Sequence, residues 1–178
     1  MIKLPHTRSC FVCGLHNPVG LKLDFETDGR IVRTRFVARP EYAGFRDALH
    51  GGIIATILDE VMVWACGVHT KRFAFSVELN FRFLQPARPG ATLEAIGELV
   101  ENRRNRLFET RGELRDTAGP VLASATGKYL PLKEAMMADL MEDFAENTES
   151  LFGPRSGQLA PSPLGSSPAH NVPTPPSR

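Results

Sequence analysis

One segment limits the folds open to this chain more than any other. After His50-Gly51-Gly52, the residues Ile54, Ile57, Leu58, Val61, Met62 and Ala65 recur with a helical period, and Gly67 marks a stop. Ile53, Val63 and Trp64 fill the gaps between them, so the helix is apolar over most of its circumference. Such a helix has to be enclosed, because no orientation on a surface hides all of it. The residues that follow can enclose it. Phe73, Phe75, Val77, Leu79, Phe81 and Phe83 alternate with Ala74, Ser76, Glu78, Asn80 and Arg82. That period of two predicts a strand with one apolar and one polar face. Pro86 and Pro89-Gly90 end it, and three more strand segments follow at 91–100, 107–115 and 121–130, with turns at 102–105 and 116–120. Upstream, Leu21, Leu23 and Phe25 alternate into Asp28-Gly29, a hairpin signal, with 31–37 as the partner strand. One buried helix and long strands joined by short connections predict the α+β class, with an antiparallel sheet curled around a central helix.

The length of 178 residues fits one domain plus an extension. We expect the domain over 1–132 and a short amphipathic helix over 133–148, where Met137, Leu140, Met141 and Phe144 share a face. From 149 to 178 we expect a disordered tail, since seven of the 14 prolines and five serines fall after position 152. Such a composition buries too little apolar surface to offset its ordering entropy. The 21 basic and 20 acidic residues nearly cancel, which argues against a nucleic-acid or acidic-membrane partner. No apolar run is read as a membrane span, and the first residues lack a signal-peptide core. Three cysteines are too few for a disulfide scaffold, which with the missing signal predicts a cytoplasmic protein.

Two features of the helix carry chemistry. Gly51 and Gly52 lie at its start, where backbone N–H groups are free and the helix dipole is positive. Without side chains there, a substrate carbonyl can approach those amides as it would an oxyanion hole; close packing is the alternative use of the same glycines. Asp59-Glu60 places two acids in the middle of an apolar helix, which is costly unless they are paired, exposed or used. Used, one of them is a general base or nucleophile for hydrolysis.

The run from His50 to Glu60, His-Gly-Gly-Ile-Ile-Ala-Thr-Ile-Leu-Asp-Glu, resembles the helix signature of the hotdog-fold acyl-CoA thioesterases of the phenylacetate-degradation and THEM type, relatives of 4-hydroxybenzoyl-CoA thioesterase. The resemblance continues through 76–90 and more weakly over 21–132. It implies a hotdog fold, hydrolysis of an acyl-CoA thioester, and no metal or dissociable cofactor. It further implies that Gly51 supplies an oxyanion N–H, that Asp59 activates water or attacks the thioester, and that Ser76 helps hold the water. Glu60 stands beside Asp59 as the alternative acid. His50 is read as fixing the loop before the helix, and it, Gly52 and Asn80 are taken as substrate-facing. Many members carry Asn six positions before the histidine, whereas this chain has Gly44. A rival reading is therefore a non-catalytic acyl-CoA sensor. A hydratase or dehydratase is the other rival, and no matching His-acid pair is found for it.

Gly51 and Asp59 are eight residues apart, roughly 12 Å along one helix. One helix cannot hold a carbonyl and attack its carbon across that span. Two antiparallel copies can, which predicts a homodimer, possibly a dimer of dimers, with shared sites. Arg103, Arg104 and Arg106 cluster at a turn, either as a solvated hairpin tip or as contacts for CoA phosphates. His6, Cys10, Cys13 and His16 have a spacing able to wrap zinc. Only one C-x-x-C is present, so a packed turn without stoichiometric metal is expected.

Overall fold

The structure, a computed structural model, describes residues 1–117 and 119–152. Seven strands form one antiparallel sheet: β1 (Ile2–Lys3), β2 (Glu26–Thr27), β3 (Val32–Val37), β4 (Ala74–Phe83), β5 (Thr92–Arg103), β6 (Leu107–Asp116) and β7 (Val121–Pro131). Their order across the sheet is β1-β2-β3-β5-β6-β7-β4. Helix α1 (Gly51–Thr70) joins β3 to β4 and packs against β3, β4, β5, β6 and β7. A curled sheet around one helix is the hotdog arrangement of the α+β class.

The apolar circumference of α1 explains the wrap. Ile57, Leu58, Val61, Met62, Ala65 and Cys66 are wholly buried. At Gly97 of β5 a Cβ would fall 2.5 Å from the Val61 carbonyl oxygen, so the helix backbone lies directly on the strand. By length and composition α1 is long and apolar enough to cross a membrane, which corrects the reading that no segment is. Its enclosure by the sheet accounts for that composition.

Gly67 does not end α1. The helix runs one more turn to Thr70 and stops at Lys71, whose left-handed φ of 60° lets its N–H close on the Gly67 carbonyl. A Cβ on Gly67 would lie 2.9 Å from the Phe73 ring, so the glycine makes room for that ring. The hairpin at 26–33 is also shorter than expected. Leu21 and Leu23 are buried but donate their N–H groups to Phe11 and Val12, so this stretch pairs with the N-terminal turn and not with β3.

The largest difference is in β4. Its register against β7 shifts between Ser76 and Glu78, leaving Val77 as a bulge. A one-residue bulge reverses the alternation beyond it. On β7 the buried residues Ala123, Ala125, Gly127 and Tyr129 face α1, and their direct partners are Phe83, Phe81, Leu79 and Ser76. Directly opposed residues share a face. Ser76 therefore joins the face of Leu79, Phe81 and Phe83, while Phe75 turns outward and is 55% exposed. The predicted single apolar face from Phe73 to Phe83 is corrected accordingly.

Helix α2 (Glu134–Asp143) follows β7 and lays Met137, Leu140 and Met141 on the core. Phe144 is 2% exposed and meets Trp64 and Phe73 at ring distances of 5.8 and 5.9 Å. The first four residues of the expected tail are helical. Residues Glu149–Phe152 form α3, and the Phe152 ring lies 5.2 Å from Phe73 and 6.2 Å from Phe144. An aromatic side chain with two ring neighbours has the contacts to order the chain that carries it. The proline-rich remainder, 153–178, lies outside the described residues.

Candidate active site

His50 caps α1 with extended backbone dihedrals, and its Nδ1 accepts the Gly52 N–H at 2.9 Å. That bond holds the His50 ring against the first helical turn and removes Gly52 from the pair of free amides. The Gly51 N–H has no hydrogen-bond partner among the described residues. It lies beside Phe83, whose ring would be 3.4 Å from a Cβ on Gly51. At Gly44 a Cβ would meet the His50 Cα at 2.9 Å, so no asparagine fits there unless the capping loop moves.

Two turns further along α1, Asp59 is half-buried and its Oδ1 accepts the Tyr129 hydroxyl at 2.8 Å. Burial pushes the Asp59 carboxyl above its usual range, and the Tyr129 hydrogen bond works the other way. Tyr129 itself is fully buried, and burial together with the Asp59 charge pushes its phenol up, so it stays a neutral donor. The residue spacing did not identify Tyr129, because in β7 it reads as an ordinary strand aromatic.

Cross-strand register then ties further residues to this point. Tyr129 pairs with Phe108 on one side and Ser76 on the other, and Phe108 pairs with Asn102. The expected water-holding Ser76 thus occupies the same rung and face as the partner of Asp59, brought there by the bulge. Arg103 and Arg104 sit one step beyond that rung, at the tip of the β5–β6 hairpin. Arg104 and Asn105 both have left-handed φ angles near 55°, as a two-residue hairpin turn demands. Arg103 is engaged by Glu101 at 3.2 Å and Glu109 at 2.7 Å.

Two expected members lie elsewhere. Asn80 follows the bulge on the outward face of β4, where its amide donates to Glu78 at 3.1 Å, so the chain does not bring it to its own Asp59. Glu60 is one residue from Asp59 but, about 100° further round the helix, meets the Cys10 thiol at 3.6 Å. Burial and the Cys10 charge push its carboxyl up to about 8.

Residues 47–123 match the thioesterase superfamily. Among solved structures, one thioesterase superfamily protein superposes with a TM-score of 0.63 at 26% identity, covering 69% of this chain. The chain spans 63% of that protein's length. The Escherichia coli PaaI protein of the phenylacetic acid degradation operon gives a TM-score of 0.57 at 19% identity, covering 62% of this chain and 83% of its own. A Streptococcus mutans protein bound to acetyl CoA gives 0.57 at 18%, covering 62% and 88%. These last two are alike in fold. No curated protein matches the sequence.

Proposed function

We propose that this chain, a member of the thioesterase superfamily, hydrolyses an acyl-CoA thioester at sites shared between two copies of itself. The observation that carries the reading is Asp59: a half-buried carboxylate in mid-helix, oriented by a fully buried Tyr129 hydroxyl at 2.8 Å and sharing a sheet face with Ser76. A carboxylate so held is a base or nucleophile and not an ion-pair member. Water, held by Ser76 and deprotonated by Asp59, adds to the thioester carbon. The Gly51 N–H of the second copy stabilises the resulting oxyanion. Collapse of the tetrahedral intermediate breaks the C–S bond, and the departing CoA thiolate takes up the proton. The S. mutans structural relative bound to acetyl CoA supports a CoA ester as the substrate. The surplus of arginine at the β5–β6 tip supports contact with its phosphates.

The exposed edge strand β4 supports the shared site. This ten-residue strand lies at the sheet edge and leaves Phe75, Val77 and Phe83 more than half exposed. A long apolar edge invites a second chain. The test is release of free thiol from a panel of acyl-CoA esters. We expect turnover in the wild type and none in Asp59→Asn or Gly51→Val. Mixing the two dead variants under subunit exchange should restore about a quarter of wild-type activity. Half the dimers are then mixed, and each has one intact site of two. No recovery in proven heterodimers rejects the shared site, and CoA-ester binding without turnover in the wild type favours the sensor reading.

A further inference from the structure

The N-terminal turn is built more tightly than a passive extension requires. Over residues 10–14 the Gly14 N–H closes on the Cys10 carbonyl at 2.9 Å, and the Val12 N–H points at the Cys10 sulfur at 3.2 Å. A Cβ on Gly14 would lie 2.2 Å from the Cys10 oxygen, so only glycine completes this turn. The turn is docked firmly: Val12 and Cys13 are 3% and 1% exposed. The C-terminal segment clasps it, with Arg8 N–H on Asp143 and Ala145 N–H on His6.

What the turn faces gives it a chemistry. Glu60 reaches it from α1, and the ligand atoms of Cys10, Cys13 and Glu60 all lie within 4.8 Å of one another. Among the described residues no Lys, Arg or His pairs with Glu60. Two thiols and a carboxyl converge, and among the described residues no Lys or Arg meets them. A divalent ion binds such a set by displacing the protons the three groups otherwise keep. The spacing suits zinc, since Zn–S near 2.3 Å and Zn–O near 2.0–2.2 Å give tetrahedral edges of about 3.5–4 Å.

We propose that Cys10, Cys13 and Glu60 bind one zinc ion, with water in the fourth position, tying the N-terminal turn to the central helix. This replaces the histidine-containing ligand set that the sequence spacing suggested. His6 instead bridges Asp24 at 2.9 Å and Glu146 at 3.1 Å, and His16 is exposed. A Cys10–Cys13 disulfide is the competing use of the turn, but it leaves the Glu60 carboxyl facing the same sulfurs with no role.

The test uses the full chain, purified under reducing conditions and stripped by chelator, then titrated with Co2+ alone. A thiolate-to-cobalt charge-transfer band should saturate at one equivalent and be displaced by Zn2+. Cys10→Ser and Cys13→Ser should abolish the band, and Glu60→Gln should weaken binding at least about ten-fold while keeping it. Circular dichroism and melting show whether each variant is folded. Should Cys13→Ser fail to fold, the half-buried Cys10 and the isosteric glutamine still decide the matter. The site is overturned by any of three results: no band in the wild type, a band that survives in folded Cys10→Ser, or affinity unchanged in Glu60→Gln. Loss of two thiols to a disulfide, with no metal uptake after reduction, overturns it as well.

Discussion

Replacing Tyr129 by Phe removes one oxygen and almost nothing else. The ring is fully buried and packed so closely that a Cβ on Gly127 would lie 2.5 Å from it, so the phenylalanine has nowhere to move. What disappears is the 2.8 Å hydrogen bond to Asp59 Oδ1. A hydrogen bond to a charged acceptor contributes about 1.5–3 kcal/mol. Asp59 is half-buried, so water can replace part of it, and about 1–2 kcal/mol is the working figure. If Asp59 must be aimed at the reacting carbon, the loss falls on the transition state, and kcat should drop roughly 5- to 30-fold. KM should stay within about two-fold, because Tyr129 is too deeply buried to touch substrate. Steady-state kinetics with the best acyl-CoA ester, beside a melting curve, measure both. An unchanged kcat in a folded variant would refute the claim that Tyr129 positions the working acid. A rise in KM at constant kcat would refute it equally, by making the effect one of binding.

Two further variants test the packing that holds the site. Gly97→Ala should lower stability by about 1–3 kcal/mol, seen in denaturant melts, because its Cβ meets the Val61 carbonyl and not a movable side chain. A chain ending at Thr148 should be about 1–2 kcal/mol less stable than one ending at Phe152, since only the longer keeps the Phe152 ring against Phe73 and Phe144. Equal melting temperatures for the two truncations would return the boundary to 149.

The parts of the fold legible in the sequence are those set by local periodicity. The burial of α1 followed from its apolar circumference, and β5, β6 and β7 followed from turn residues. Long-range chemistry left no such trace. Tyr129 and Asp59 are seventy residues apart, and Cys10 and Glu60 fifty, so neither pair has a spacing to read. The β4 bulge was hidden for another reason. Apolar residues stand on both faces of that strand, Phe75 on one and Phe81 on the other, so their alternation looked unbroken across Val77. A polar residue at 75 would have betrayed the change of face. Gly67 misled because a helical glycine near a terminus has two explanations, and only the position of the Phe73 ring separates them.

The same distinction bears on the two acids that the sequence sets side by side. Their adjacency makes them look interchangeable, yet a helix turns about 100° between them. Asp59 is directed at the sheet, where a neutral phenol holds it on the face that also carries Ser76. Glu60 is directed at the N-terminal turn, where its neighbours are thiols. A group that must hold or move a proton during turnover needs an orienting donor and a path to substrate, and Asp59 has the donor. Glu60 is instead met by the Cys10 thiol at 3.6 Å, with the Cys13 sulfur close by, and neither thiol belongs to the sheet face that carries Ser76. The two readings therefore support one another. If Glu60 is a metal ligand, it is withdrawn from hydrolysis, and the assignment of Asp59 no longer rests on counting residues from His50. Activity that survives in Asp59→Asn but disappears in Glu60→Gln would reverse both assignments together.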